Sequence, residues 1–336
     1  MIYINGRYLT KVMTGVVRYA TEIVSFFDVK ENKDKITVLL PKNATCSFKY
    51  LPTKKIGKLK GNLWEQISLA NFMKKHKDDK LLNLCNSSPL SVSGYTVIHD
   101  LTFLLKPRTY SLPFTMWYKY LIPKKVKKDK AIITISNVSK EDIIKHYQIP
   151  SKKIHVAYCG GDSPLPIIDE TILDTFNLKN KEYYLFVGSN FPHKNINLIY
   201  DLAKVSKDKH FVIVSQDYQA KKEDNVTLIN QGIKNRELKA LYAHAEALIL
   251  LSSFEGFGMP PLEALVNGTK NIILSDIPIF REIYGDEPTY IDITKPIKEF
   301  PLLKKLPENY LNTLLDKYSW KRSSDIILKT IEEDKL

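Results

Sequence analysis

Nowhere in the 336 residues does an apolar run approach the eighteen or so that a membrane-spanning helix requires. The opening MIYINGRYLT also lacks the basic start and long apolar stretch of a secretory leader, so a cytoplasmic protein is expected. Cysteine is scarce: Cys46, Cys85 and Cys159 are odd in number, far apart and without metal-ligand spacing. That excludes a disulfide framework and a thiolate metal centre, and predicts reduced thiols in the core. GxGxxG, P-loop, HExxH, GxSxG and DxD patterns are all missing, which removes the usual signatures of dinucleotide binding, P-loop nucleotide hydrolysis, zinc proteolysis, serine hydrolysis and metal-held phosphate. No metal and no cofactor are predicted.

What the chain does have is enough apolar material for packed cores, 44% hydrophobic residues against 26% charged. Its length exceeds what one core organises and suits two domains. The charge is unevenly spread. Residues 1–163 hold 28 Lys and Arg against 12 Asp and Glu, a balance of +16, whereas the remainder holds 22 against 25. A half this basic calls for an anionic partner: nucleic acid, acidic lipid headgroups or phosphorylated small molecules. The densest lysine run, 124–130, follows the aromatic stretch 114–122, a pairing suited to an anionic membrane surface. A solvated helix with its aromatics in the core is the plainer alternative. No RNA or DNA recognition motif is present, so nucleic acid is not expected.

Short apolar runs alternate with helical patterns throughout, as in parallel sheets wrapped by helices, and the fold class is α/β. Strands are predicted near 36–40, 81–84, 96–98 and 131–135, with a helix from Gly15 to about residue 26. Ser139 is read as the cap of a following helix. Beyond the Pro-rich 163–166 segment, Tyr183 to Gly188 reads as a buried strand ending in glycine, then a loop to Lys194 and a helix from about 196. Further strands are predicted at 211–215, 227–229, 247–251 and 271–274, with helices at 236–244 and from Pro260.

The most specific stretch is Phe254-Glu255-Gly256-Phe257-Gly258-Met259-Pro260-Pro261-Leu262-Glu263-Ala264-Leu265. It reads as a strand end, a glycine turn and a helix start. Glycine permits positive φ and close approach of a ligand, and proline suits the first helical turn. Uncommitted backbone N–H groups at such a start receive anions and hydroxyls. Glu255 and Glu263 bracket the turn at the carboxyl edge of a parallel sheet, where open α/β sheets bind ligands.

This segment resembles the signature of glycosyltransferase family 4, whose hallmark is two glutamates eight apart flanking a Gly-Phe-Gly-type loop. The resemblance implies a GT-B fold, two Rossmann-like doubly wound domains facing across a cleft: 1–163 binding the acceptor, 164–315 binding the nucleotide sugar, and a C-terminal helix, 316–336, crossing back. It implies that Glu255 and the Gly256, Phe257, Gly258, Met259 and Pro260 turn hold the donor sugar, and that Glu263 holds the ribose. Val187-Gly188-Ser189-Asn190-Phe191-Pro192-His193-Lys194 resembles the family's diphosphate loop, with Lys194 in place and His193 where arginine is usual. His99-Asp100 resembles the pair whose histidine reaches the donor sugar, and Gly15 the glycine turn before the first helix. Asn62-Leu63-Trp64-Glu65-Gln66 also recurs in the subgroup; core packing is expected for Trp64, as are ordinary helical roles for Arg18 and Tyr19.

By resemblance the chain is expected to be a retaining, metal-independent enzyme. It would move a hexose or deoxyhexose from a nucleotide diphosphate donor to a glycan or polyprenyl-diphosphate-linked acceptor in bacterial surface-polysaccharide assembly. It would work in the cytoplasm, peripheral to the membrane. Glu255, His99 and Lys194 are the expected catalytic residues. The alternatives are a soluble sugar synthase of the same fold and a silent membrane-docking protein.

Overall fold

The computed structural model describes residues 1–334 apart from 107, 166, 217, 220 and 222. Pro166 of the Pro-rich segment lies outside the described residues. The chain forms two compact units, Met1–Gly160 with Tyr318–Leu336, and Gly161–Lys317.

The first unit is built on a seven-stranded sheet, parallel throughout, in the order β3-β2-β1-β4-β5-β6-β7. Its strands are β1 (Ile2–Asn5), β2 (Ile36–Leu40), β3 (Thr53–Lys55), β4 (Lys80–Asn83), β5 (Tyr95–Val97), β6 (Ala131–Thr134) and β7 (Ile154–Val156). The central strands are near-continuous apolar runs buried on both faces, as crossover helices require. Edge strand β3 is Thr-Lys-Lys and exposed; its lysines discourage pairing with another edge.

Helix Gly15–Phe27 lays Val17, Ala20, Ile23, Val24 and Phe27 into the core, and Thr14 caps it by accepting from the Val17 N–H. It packs against the terminal helix Trp320–Glu332, with the Tyr19 and Trp320 rings meeting edge to face. Tyr19 is buried and donates to Ala157 O, Arg18 forms a helical pair with Glu22, and Trp64 is buried with its Nε1 donating to Ile56 O.

The second unit holds a six-stranded parallel sheet in the order β10-β9-β8-β11-β12-β13. Its strands are β8 (Tyr183–Val187), β9 (His210–Val214), β10 (Val226–Ile229), β11 (Ala247–Leu250), β12 (Asn271–Ser275) and β13 (Thr289–Ile291). Within the unit this is the 3-2-1-4-5-6 winding of the Rossmann fold, and it reverses between β8 and β11. Loops leaving two such strands diverge and open a crevice. The first unit reverses in the same way between β1 and β4.

Three expectations need correction. The helix near 139 is Asn137–Tyr147 and is capped by Ser136, whose Oγ accepts from the Ser139 N–H; Ser139 is inside it and buried. Cys46 is half-exposed, while Cys85 and Cys159 are buried thiols. The aromatic and lysine stretches share one helix, Leu112–Lys128, but Lys125 is structural. It is buried, pairs with Asp129 at 2.7 Å and donates to the Pro89 and Val92 carbonyls.

Candidate functional site

In the second unit the two loops that leave the switch point carry the residues marked by sequence. After β8, Gly188 leads through 189–191 into the short turn Pro192–Lys194. Asn195 closes that turn in the left-handed region, φ +52, and donates from its side chain to Leu251 O at 2.9 Å. After β11, Ser253 N–H donates to His193 O at 2.8 Å, so the loops are stitched together by backbone. Lys194 Nζ then reaches Glu255 Oε1 at 2.6 Å, with side chains only 15% and 10% exposed. Ser252 Oγ donates to the same oxygen at 2.7 Å. Lysine and carboxylate thus neutralise each other at the mouth of the crevice. His193 is buried and stacks on Phe191, a placement unlike that of a surface cation.

The glycine turn is rigid. Gly258 has φ +81, and a Cβ there would lie 2.4 Å from Phe280 Cε1. Tyr284 OH donates to Gly258 O at 2.5 Å and accepts from Leu262 N–H at 3.1 Å, clamping the turn to the first turn of helix Met259–Val266. Gly256 and Phe257 are buried, and Met259 and Pro260 half-buried at the helix start. Underneath, Ser275 Oγ donates to Ser252 O at 2.5 Å, tying β12 to the loop after β11. Glu263, inside the helix, accepts from Tyr242 OH at 3.2 Å. The two glutamates therefore take different partners: Glu255 a cation and a hydroxyl, Glu263 a phenol.

In the first unit His99 follows β5 and is 3% exposed. Its Nδ1 and its backbone N–H both face Asn86 Oδ1, at 2.8 and 2.7 Å, and the Tyr19 ring packs edge-on. Burial, with Lys11 nearby, pushes the imidazole down to about 3, so it is neutral. Its Nε2 is buried without a hydrogen-bond partner. Gly15 begins the first helix with open space where a Cβ would stand.

Sequence reasoning gave Asn62–Gln66 no function, and the structure puts there a buried polar frame beside the β1/β4 switch point. Glu65, fully buried in the π-helical turn Trp64–Leu69, accepts from Asn5 Nδ2 at 2.8 Å and Ser87 Oγ at 3.1 Å and pairs with Arg7 Nε at 3.3 Å. Arg7 also donates to Ser87 Oγ at 2.6 Å and to Asn62 Oδ1. A charged residue in the otherwise apolar Leu-Trp-Glu context was the available signal; its partners lie up to 60 residues away and could not be named. Among the described residues no group of three or more His, Cys, Asp and Glu side chains forms a metal-ligand set.

Residues 169–296 match the family model of the group 1 glycosyl transferases. That match lies within the second unit. Two curated relatives of this group 1 unit and its neighbour extend the likeness. The O-antigen chain mannosyltransferase RfbU of Salmonella typhimurium is 31% identical over 217 residues, 61% of this chain and 58% of that protein. The O-antigen chain mannosyltransferase B of Escherichia coli is 24% identical over 212 residues, covering 57% and 55%. The chain thus spans little more than half the length of the curated relatives it matches. Solved structures agree over both units: a glycosyltransferase from Rickettsia africae (TM-score 0.66, 13% identity, 99% and 98% covered) and Anabaena HepE with UDP and glucose (TM-score 0.61, 13% identity, 98% and 94% covered). The lipopolysaccharide glycosyltransferase WaaG also matches (TM-score 0.59, 16% identity, 100% and 96% covered). The fold is GT-B, as the resemblance implied.

Proposed function

We propose that the protein is a retaining hexosyltransferase that moves a sugar from a nucleotide diphosphate to a glycan acceptor during assembly of a bacterial surface polysaccharide. The observation that carries the reading is the Lys194–Glu255 pair at the β8/β11 switch point, next to the rigid Gly258 turn. The names of the relatives favour mannose as the sugar.

In this reading the diphosphate displaces Glu255 from Lys194, and the lysine stabilises the charge that grows on the leaving phosphate. The N-terminal end of helix Met259–Val266 adds the fixed positive end of its dipole, although Pro260 and Pro261 carry no N–H and that of Leu262 is held by Tyr284. Glu255, released, accepts hydrogen bonds from donor-sugar hydroxyls, with Gly256 and Phe257 beside it. Glu263 takes the ribose hydroxyls, and Gly188 and His193 shape the phosphate loop. His99 and Gly15 are the residues of the first unit assigned to the donor sugar and phosphates. Glu255 is not assigned as a covalent nucleophile: a glycoside hydrolase needs its paired acids on opposite sides of one bond, whereas Glu255 and Glu263 flank one glycine turn. The acceptor hydroxyl attacks from the face the diphosphate leaves, and the departing phosphate takes its proton. Lysine and backbone dipoles supply the charge stabilisation, so no divalent ion is required.

The acceptor is proposed to be polyprenyl-diphosphate-linked, with the basic first unit resting on anionic lipid at the inner face of the plasma membrane. Helix Leu112–Lys128 supports this: Leu112, Met116 and Tyr120 are 71%, 62% and 51% exposed, and Lys124 sits over the Tyr120 ring at 3.7 Å.

The test is transfer from GDP-mannose, UDP-glucose and dTDP-rhamnose to a polyprenyl-diphosphate-linked oligosaccharide, with Glu255→Ala as control. Transfer of one sugar with unchanged anomeric configuration, lost in the control, is expected. Equal turnover by the control, or an inverted product, refutes the proposal. Flotation with phosphatidylglycerol vesicles and its absence with neutral ones is expected for the membrane arm.

A further inference from the structure

Asn86 closes the loop after β4 in the left-handed region, φ +56, and its backbone N–H donates to Val97 O at 3.0 Å. Its side chain faces two nitrogens of His99, the backbone N–H at 2.7 Å and Nδ1 at 2.8 Å. A backbone N–H can only donate, so the Asn86 atom that meets it is the amide oxygen and not the amide nitrogen. That oxygen can only accept, so Nδ1 carries the imidazole proton. A neutral imidazole has one such proton, which leaves Nε2 a bare lone pair. Burial and Lys11 keep the ring neutral, and Nε2 is a buried acceptor with no hydrogen-bond partner. The backbone of residue 99 therefore fixes the amide, and the amide fixes the tautomer.

The loop that presents Asn86 is itself held. Its next residue, Ser87, is buried between Arg7 Nη2 and Glu65 Oε2, and Glu65 is bound in turn to Asn5 of the central strand. The π-helical turn that carries Glu65 thus frames the loop from below.

We propose that Asn86 is a positioning residue that sets the tautomer of His99, so that the first unit offers a ligand hydroxyl an accepting Nε2 and disfavours a phosphate oxygen there. A phosphate oxygen would face a lone pair, whereas a sugar hydroxyl can donate to it. The identity of the hydroxyl rests on the glycosyl-transfer reading above; the tautomer does not.

Two variants test it, both compatible with the backbone at 86. Asn86→Gly keeps positive φ available and removes the acceptor, and Asn86→Asp keeps the acceptor. Long-range proton–nitrogen NMR of protein labelled with 15N-histidine reports which ring nitrogen is protonated. The wild-type protein and Asn86→Asp are expected to show the Nδ1–H form, and Asn86→Gly a substantial Nε2–H population. In the transfer assay Asn86→Gly is expected to lose about 10- to 100-fold in kcat/KM while still folding cooperatively at a somewhat lower melting temperature, with Asn86→Asp retaining most of it.

The same tautomer in Asn86→Gly and the wild type overturns the inference, as does unchanged kcat/KM in a variant whose tautomer has switched. Should Asn86→Gly not fold, Asn86→Asp decides. Its carboxylate would sit at hydrogen-bond distance from Nδ1, counter the charge of Lys11, and raise the pH of His99 protonation by at least about one unit. No rise overturns it. A wild-type protein that shows the Nδ1–H form but transfers no sugar counts against the function and leaves the tautomer argument standing.

Discussion

Replacing Glu255 with Gln should tighten the binding of a bare nucleoside diphosphate while abolishing sugar transfer. Glu255 holds Lys194 at 2.6 Å, and with 10% of its side chain exposed its charge is poorly screened. A diphosphate that takes Lys194 must do so against this carboxylate. For a phosphate charge about 6 Å away the repulsion at an effective dielectric of about 20 is roughly 3 kcal/mol. Partial exposure and salt reduce it to about 1–2 kcal/mol, or ~5- to 30-fold in Kd. Lys194→Ala works the other way, removing the cation and leaving Glu255 to repel the ligand, and should weaken binding by at least about 30-fold. Calorimetric titration of GDP and UDP into the wild-type protein and both variants measures this directly. The Gln variant should also lose about 1–2 kcal/mol of stability, because Lys194 keeps its burial without its anion. Weaker or unchanged diphosphate affinity in Glu255→Gln would refute the reasoning, since no phosphate could then be competing for that lysine.

Further outcomes follow from other parts of the structure. Gly258→Ala should cost about 2–4 kcal/mol in denaturant unfolding, because it combines positive φ with a Cβ 2.4 Å from Phe280; a loss under 1 kcal/mol would mean the turn is soft. His99 is neutral when folded, with its pKa at about 3, and titrates near 6.5 when unfolded, so the unfolded chain binds the extra proton as pH falls below 6.5. Stability should therefore drop by on the order of 2–3 kcal/mol between pH 7 and 4.5 from this group, and His99→Gln should flatten that part of the pH curve; an unaltered slope would contradict it. Transfer activity should survive EDTA, and loss with rescue by manganese or magnesium would overturn the metal-independent mechanism.

The group 1 segment was legible in sequence because its constraints are local. A strand ending in glycine, a turn that requires positive φ and a proline at a helix start all act within a dozen residues, so Gly258 and Glu255 declare themselves. The strands with long apolar runs were legible for the same reason. β1, β3, β7 and β13 were not: β3 is two-thirds lysine, and the other three interrupt short runs with Asn, His, Thr or Tyr. Ser139 was read as a helix cap, but the cap is Ser136, three residues earlier, whose backbone still lies in the extended continuation of β6. Lys125 was indistinguishable from its neighbours until the fold buried it beside Asp129.

Composition and short-range chemistry by themselves determined the α/β class, the charge asymmetry of the two halves and the glycine turn with its flanking acids. Tertiary structure decided which polar groups meet: Lys194 with Glu255, Glu65 with Arg7 and Ser87, Asn86 with His99. These pairs lie 13 to 61 residues apart in sequence. The physical reason is that a hydrogen bond depends on angstrom-scale placement set by strand order and loop direction, whereas periodicity and turn propensity record only what happens within a few residues of the chain.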